Sequence, residues 1–177
     1  MMTTNNDKTE LGIYIHIPFC VCKCRYCGFL SFENADKELH SRYIRALTDE
    51  IRLYGRLYRD EYSVDTIFIG GGTPSVLEPE YTEQILNAVR ESFNIADTCE
   101  ITIETNPGTL SRQKLSAYRK CGINRLSIGV QSLNDNVLKT LGRIHSVREF
   151  EENFTLAREL GFDNINIDLM FAVPGAT

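Results

Sequence analysis

The sequence predicts an α/β protein made of successive parallel β/α units, with a curved sheet lining a polar cavity. Five short strand patterns alternate with helical patterns along the chain, as β/α units require. Within the strands, apolar and polar residues alternate. Ile165, Ile167 and Leu169 stand against Asn164, Asn166 and Asp168, and Ile101 and Ile103 against Glu100, Thr102 and Glu104. A parallel sheet covered on both faces reads instead as near-continuous apolar runs. One face is therefore expected to pack on helices while the other lines a cavity. Glycine-rich or polar segments also close several strands at the end where β/α barrels carry their sites.

The elements follow in order. Leu11–Ile17 reads as the first strand, setting Ile13, Ile15 and Ile17 against Tyr14 and His16. A cysteine-rich loop comes next, then a long helical pattern over Asp36–Arg59. Arg42, Arg45, Arg52, Arg56 and Arg59 recur there among Asp49, Glu50, Asp60 and Glu61, which reads as a solvated helix face. Val64–Ile69 is the second strand, ending in Gly70-Gly-Gly-Thr-Pro-Ser75, and Pro79–Phe93 is helical. Glu100–Thr105 is the third strand, closed by Asn106-Pro107-Gly108. Ser111 caps a helix running to about Lys120, and Gly122 suits its stop. Asn124–Val130 is the fourth strand, with Leu126, Ile128 and Val130 against Arg125, Ser127, Gly129 and Gln131. Helices over Asp135–Leu141 and Ser146–Leu160 lead to the fifth strand, Asn164–Phe171, shortly before the end at Thr177.

With 177 residues the chain is long enough for one domain with a sizeable core. We divide it into a flexible N-terminus, residues 1–10, and one domain over 11–177. A net charge of −5 gives no nucleic-acid footprint. The polar start, Met1 to Glu10, lacks the apolar core of a signal peptide, and no apolar run approaches a transmembrane segment in length. These features point to the cytoplasm, a reducing compartment that disfavours disulfides among the six cysteines.

Cys20, Cys24 and Cys27 form a C-x3-C-x2-C run, three thiolates close enough in sequence to wrap one cluster. A [4Fe–4S] cluster usually takes four thiolates, so three leave one iron open to a substrate or second cofactor. The bland alternatives are a disulfide pair and a structural zinc. Zinc usually wants two separated cysteine pairs, and no second pair follows. Cys99 and Cys121 read as small buried residues, and Cys22 as a spare thiol able to substitute in a damaged site. Three successive glycines at 70–72 let backbone approach a ligand, and no Gly-Lys-Ser/Thr follows to make a phosphate loop. Glu104, Gln131 and Asp168 close strands three, four and five on the polar side, a constellation at one rim. From the residues alone Arg143 reads as either an ordinary surface cation or a carboxylate binder, His145 as structural or exposed rather than catalytic, and His16 as a polar-face neighbour of the cysteine loop.

In order and spacing, Tyr14-Ile-His-Ile-Pro-Phe-Cys20, the cysteine run, Gly70-Gly-Gly-Thr-Pro-Ser75, Ile103-Glu-Thr-Asn-Pro107 and Gly129-Val-Gln-Ser132 resemble the radical S-adenosylmethionine proteins. Leu141-Gly-Arg-Ile-His145 and Ile167-Asp-Leu-Met-Phe-Ala-Val-Pro-Gly175 continue the match. More narrowly the chain is similar to the oxygen-independent coproporphyrinogen III oxidase family and its HemW-type haem chaperone branch. The resemblance implies a partial parallel (β/α) barrel of the radical SAM type. It implies that Cys20, Cys24 and Cys27 hold a [4Fe–4S] cluster whose fourth iron binds S-adenosylmethionine. Tyr14, Gly71, Gly72, Thr73, Glu104, Gln131, Arg143 and Asp168 would then surround that cofactor. Tyr26 matches an aromatic position that contacts a second ligand. The chemistry implied is one-electron cleavage of the sulfonium to methionine and a 5′-deoxyadenosyl radical, which in the oxidase branch leads to propionate decarboxylation.

Two departures shape the expectation. The oxidase branch carries one more cysteine two residues after the run, where this chain has Phe29; a Cys-x-Phe ending resembles the chaperone branch. That branch binds haem for transfer to acceptor proteins, so haem or porphyrin, an acceptor protein and an electron donor are the implied partners. The family also has a sixth unit and a further C-terminal domain, so the barrel is expected to be truncated after strand five, with exposed edges open to self-association. An oxygen-independent coproporphyrinogen III oxidase and a cluster-binding fragment without turnover stand as the alternatives.

Overall fold

Each long strand of the chain is laid down beside the one before it. In the computed structural model, which describes residues 8–174, the elements run as follows: β1 (Thr9–Ile17), β2 (Phe19–Cys20), β3 (Phe32–Glu33), α1 (Lys37–Tyr58), β4 (Tyr62–Gly71), α2 (Pro79–Ser92), β5 (Ile95–Thr105), α3 (Arg112–Lys120), β6 (Arg125–Gln131), α4 (Asp135–Leu141), α5 (Val147–Glu159) and β7 (Asn164–Leu169). The main sheet has five strands in the order β1-β4-β5-β6-β7, and every pairing is parallel. Strand order never reverses, which is how a barrel is wound rather than an open doubly wound sheet. Right-handed crossovers then place all the helices on one face. Among the described residues the sheet stays open, with β1 and β7 at its edges, so the α/β partial barrel read from sequence is what the chain forms.

The alternation in the strands sorts the two faces. Ile15, Ile17, Ile67, Ile69, Ile101, Ile103, Leu126, Ile128 and Val130 are buried in one core with Ile44 and Ile51 of α1, Ile85, Leu86 and Val89 of α2, Leu115 and Tyr118 of α3, and Phe150 and Ala157 of α5. Each Ile, Leu, Val or Phe side chain, fully buried, contributes about 1.5–3 kcal/mol. The other face carries Tyr14, His16, Phe68, Glu104, Ser127 and Asp168, and register places Glu104 opposite Ser127, and Ser127 opposite Asn166. Ser111 caps α3 by accepting the Lys114 N–H at 3.2 Å, as the sequence indicates, and Gly122 follows with φ +87°.

Boundaries depart from the sequence reading where pairing, not pattern, decides them. β1 begins at Thr9, inside the stretch expected to be flexible, because Thr9 pairs with Tyr62; residues 1–7 of that stretch lie outside the described residues, as do residues 175–177. β4 continues through Gly70 and Gly71, opposite His16 and Ile17. β5 starts at Ile95, which pairs with Val64 across a register shift. The fifth strand stops at Leu169. Met170 N–H donates to Gln131 O at 2.9 Å, Ala172 turns at φ +56°, and Phe171, expected in the strand, is 93 % exposed. No helix among the described residues is long and apolar enough to cross a membrane.

Candidate functional site

The cysteine loop leaves the sheet at Ile17 and is pinched at its base. Phe19 and Cys20 pair in parallel with Phe32 and Glu33, and Phe32 N–H donates to Pro18 O at 2.7 Å. Inside the loop a turn closes by Cys27 N–H to Cys24 O at 3.1 Å, which folds those two thiols back towards the sheet. The loop's far side is tied to α4: Arg25 N–H donates to Leu141 O at 3.1 Å and its guanidinium to Thr140 O at 3.3 Å. Local hydrogen bonds thus hold the three cysteines as a shaped arc at the C-terminal rim.

The glycine segment of β4 seats this arc. Gly72 N–H donates to Ile17 O at 2.8 Å and Thr73 N–H to Phe19 O at 2.7 Å. A Cβ on Gly72 would lie 2.7 Å from Phe19 O and 3.0 Å from Cys20 Sγ, so only glycine lets the two segments meet. Gly71 has φ +119°, and a Cβ there would strike the His16 ring at 2.7 Å. The sequence reading assigned these glycines to a ligand's approach; in the structure Gly72 admits the start of the cysteine loop and Gly71 the His16 ring. His16 is held by Tyr14 OH at 3.0 Å and by Leu30 O at 3.3 Å, which links the strand to the loop's return.

One cavity of about 220 Å3 gathers Cys20, Cys22, Cys24, Tyr26 and Cys27 with Gly71, Gly72, Thr73, Glu104, Gln131, Arg143 and Asp168. All three cysteines of the run are half-buried, whereas Cys22 is exposed. Among the described residues no three His, Cys, Asp or Glu side chains close round a point as one metal ion requires. A cubane places each thiolate on its own iron corner and so does not require three side chains to meet at one point. Cys99 and Cys121 are buried far along the chain from this arc, as expected of structural thiols. Tyr14 alone among the sequence-predicted site residues is absent from the cavity wall: it is 59 % exposed and stacks on Phe68 at 6.1 Å.

Polar contacts fix the rest of the wall. Thr73 Oγ1 donates to Cys20 Sγ at 3.6 Å, and Arg143 Nη1 to Cys24 Sγ at 3.4 Å. Arg143 Nη2 also donates to Asn106 Oδ1 at 2.6 Å and to Gly129 O, and Asn106 Nδ2 donates to Thr73 Oγ1 at 2.9 Å. Of the two roles the residues left open for Arg143, the surface cation is not the one seen: after Gly142 (φ +76°) its guanidinium lies in the cavity wall. Glu104 Oε2 accepts the Gly71 N–H at 2.9 Å. Burial raises its pKa above the ordinary carboxylate value, with Asp168 adding to the effect and the Gly71 N–H and His16 opposing it. Such a carboxylate is set to receive an N–H donor or a cation. Asp168 is braced by Asn166 Nδ2 at 2.7 Å and Ser127 Oγ at 3.4 Å. Gln131 sits at φ +70°, at the register shift between β6 and β7. A non-glycine residue there carries about 1–3 kcal/mol of strain, a cost concentrated at functional sites. Burial pushes Tyr26 up to about 12, although Arg143 opposes it.

Sequence reasoning missed Asn106 and Ser127 as cavity residues. The signal was present: Asn106 is two residues beyond Glu104 and Ser127 two before Gly129, each on the polar side of its strand.

A sequentially wound parallel half-barrel with thiols and polar side chains gathered round a cavity at its C-terminal rim defines the class of β/α protein to which this chain belongs. The chain belongs to the Radical SAM superfamily, whose profile matches residues 14–177. The cofactors of that superfamily are a [4Fe–4S] cluster and S-adenosylmethionine, as the sequence reading expected. The chain is 42 % identical over 164 residues to the haem chaperone HemW of Escherichia coli, covering 93 % of this chain and 43 % of that protein. It is 33 % identical over 170 residues to the oxygen-independent coproporphyrinogen III oxidase of Synechocystis, covering 96 % of this chain and 36 % of that protein. Among solved structures, coproporphyrinogen III oxidase (HemN) from Escherichia coli, a radical SAM enzyme, superimposes with a TM-score of 0.89 at 31 % identity, covering 99 % of this chain and 40 % of that one. The chain spans less than half the length of these relatives.

Proposed function

We propose that Cys20, Cys24 and Cys27 hold a [4Fe–4S] cluster, and that S-adenosylmethionine lies beside it against Gly71, Gly72, Thr73, Glu104, Gln131, Arg143 and Asp168. Tyr26 lines the cavity beside the cysteines and would contact a second ligand there, while Tyr14, hydrogen-bonded to His16 outside the wall, would reach the cofactor only from the rim. The observation that carries this reading is the cavity that the thiol arc shares with the polar ends of β4, β5, β6 and β7. When bound, the two groups supply one-electron reductive cleavage of a sulfonium. The chain's own part is placement. Thr73 and Arg143 each donate to a cluster-side sulfur, and such donors stabilise the more negative, reduced cluster. Glu104 and Asp168 offer carboxylates to the ligand's ammonium or hydroxyl groups.

The whole protein is proposed to act as a haem chaperone that binds haem and passes it to an acceptor protein, with an electron donor serving the cluster. Likeness to HemW and Phe29 in place of a further cysteine support this over porphyrinogen oxidation. The test is anaerobic reconstitution with iron and sulfide, followed by iron analysis, spectra, haem titration and product analysis with S-adenosylmethionine and coproporphyrinogen III. Expected are about four irons per chain, loss of the cluster in Cys24→Ala and its retention in Cys22→Ala. Cluster loss in Cys22→Ala with retention in Cys24→Ala defeats the ligand assignment. Decarboxylated porphyrinogen as a product returns the oxidase reading.

A further inference from the structure

Next to the main cavity, and sharing Cys22, Cys24, Thr73, Asn106 and Arg143 with it, lies a small second chamber of about 20 Å3 that His145 also lines. That volume admits a water molecule, which needs roughly 10–15 Å3, and excludes a substrate. Two of the chamber's residues present buried polar atoms without a hydrogen-bond partner: Arg143 Nε and His145 Nδ1. His145 is 5 % exposed. Its other ring nitrogen, Nε2, lies 3.2 Å from Val130 O. A carbonyl only accepts, so the proton is on Nε2 and Nδ1 is a lone-pair acceptor. Arg143 Nε–H is the complementary donor. Leaving two such groups unsatisfied costs about 1–3 kcal/mol each, and the pair stands two residues apart at one small chamber.

We propose that the chamber is a built hydration site, in which one ordered water accepts from Arg143 Nε–H and donates to His145 Nδ1, making His145 a positioning residue for the guanidinium that hydrogen-bonds Cys24 Sγ. With Nη1 on Cys24 and Nη2 on Asn106 and Gly129 O, the water completes the set of groups that hold Arg143. Burial and the neighbouring Arg143 keep His145 neutral, with a pKa lowered to about 4, so the acceptor persists across physiological pH. The bond from Arg143 to Cys24 is the path by which a histidine with no contact to the cluster tunes it.

This inference rests on Cys24 being a cluster ligand, and its test separates the two. In anaerobically reconstituted protein the midpoint potential of the cluster is measured for wild type, His145→Gln and His145→Asn. Gln retains a donor where Nε2 stands and loses the Nδ1 acceptor; Asn places its amide oxygen where Nδ1 stands. Expected is a downward shift for His145→Gln, in the direction of Arg143→Gln, with His145→Asn restoring most of the wild-type value. The effect is independent of pH between 6 and 8. Equal potentials in wild type and His145→Gln, or equal shifts in both variants, overturn the bridge while leaving the cluster assignment standing. Absence of a cluster in wild type instead defeats the assignment. Should either variant fail to fold, an anaerobic high-resolution crystal structure of the wild type decides: a solvent peak within hydrogen-bond distance of both nitrogens supports the bridge, and a clear map without one overturns it.

Discussion

At the residue scale, the site depends on where side chains are missing as much as on where they stand. Gly72→Ala puts a methyl group 2.7 Å from Phe19 O and 3.0 Å from Cys20 Sγ. Neither neighbour is a flexible tip, since both belong to the segment that starts the cysteine loop. Overpacking of this kind costs about 1–3 kcal/mol. The expected outcome is a lower unfolding midpoint together with reduced iron per chain after reconstitution; unchanged iron content counts against a role for this contact in seating the arc. Glu104 makes the opposite case. Its folded pKa lies above the unfolded one, so the folded state holds more protons in the window above pH 4.5. Stability attributable to Glu104 is therefore lost as pH rises through that window. Glu104→Gln removes the repulsion with Asp168 and can still accept the Gly71 N–H, so the ligand-free chain is expected to be as stable or more stable at pH 7. Glu104→Ala leaves that N–H unpaired and costs about 1–3 kcal/mol. Urea titrations of the two variants read the difference, and a Gln variant less stable than Ala overturns the account. S-adenosylmethionine affinity is expected to fall in both.

At the element scale, α5 buries Phe150 and Ala157 in the core shared with the strands, and its start is chemically explicit. Ser146 accepts the Glu149 N–H at 3.2 Å while Glu149 accepts the Ser146 N–H at 2.8 Å, a complete capping box. Those bonds lower the Glu149 pKa, so their stabilisation is present above the usual carboxylate range and fades as pH falls below it. Ser146→Ala is expected to cost about 1 kcal/mol at pH 7, with the gap from wild type narrowing at pH 3–4; a gap that widens on acidification refutes the pairing. Elements of this kind were legible in the sequence because their signals are local. Ser111, Gly122 and Ser146 mark helix ends by what their own side chains or φ angles do, and the Ile-x-Ile alternation names the buried face. The pinch of Phe19 and Cys20 against Phe32 and Glu33 was not legible, since two residues of pairing leave no period to read. Nor was the Val64 and Ile95 pairing that extends β5, which a register shift hides. Glu104, Gln131 and Asp168 could be placed at one rim from strand position alone, whereas the turn that returns Arg143 to Cys24 depends on contacts 119 residues apart in the chain.

At the scale of the whole molecule, stability and function occupy different parts of one sheet. The interior strands β4, β5 and β6 carry Ile67, Ile69, Ile103, Leu126, Ile128 and Val130, each at most 1 % exposed. The edge strand β7 leaves Ile167 and Leu169 exposed, and the cysteine loop exposes Phe29, Leu30 and Phe32. Amides in the first group are expected to exchange hydrogen only through global unfolding, while those of the loop and β7 exchange through local openings. Ligands that bind only the folded state stabilise it by mass action, and the gain is largest where local opening would break the site. Anaerobic reconstitution followed by S-adenosylmethionine should therefore slow exchange most in residues 20–33, at the β4 glycines and at the ends of β5, β6 and β7. Helices α2 and α3 form the far wall of the core and touch none of the cavity, so their exchange should change least. Hydrogen-exchange mass spectrometry resolves these segments. Protection appearing first in α2 and α3, with the cysteine loop unaltered, would mean that the ligand binds elsewhere and that the rim cavity is not its site. Protection confined to the rim would show that the half-barrel's core is complete before any cofactor arrives, and that the cofactor orders only the arc above it.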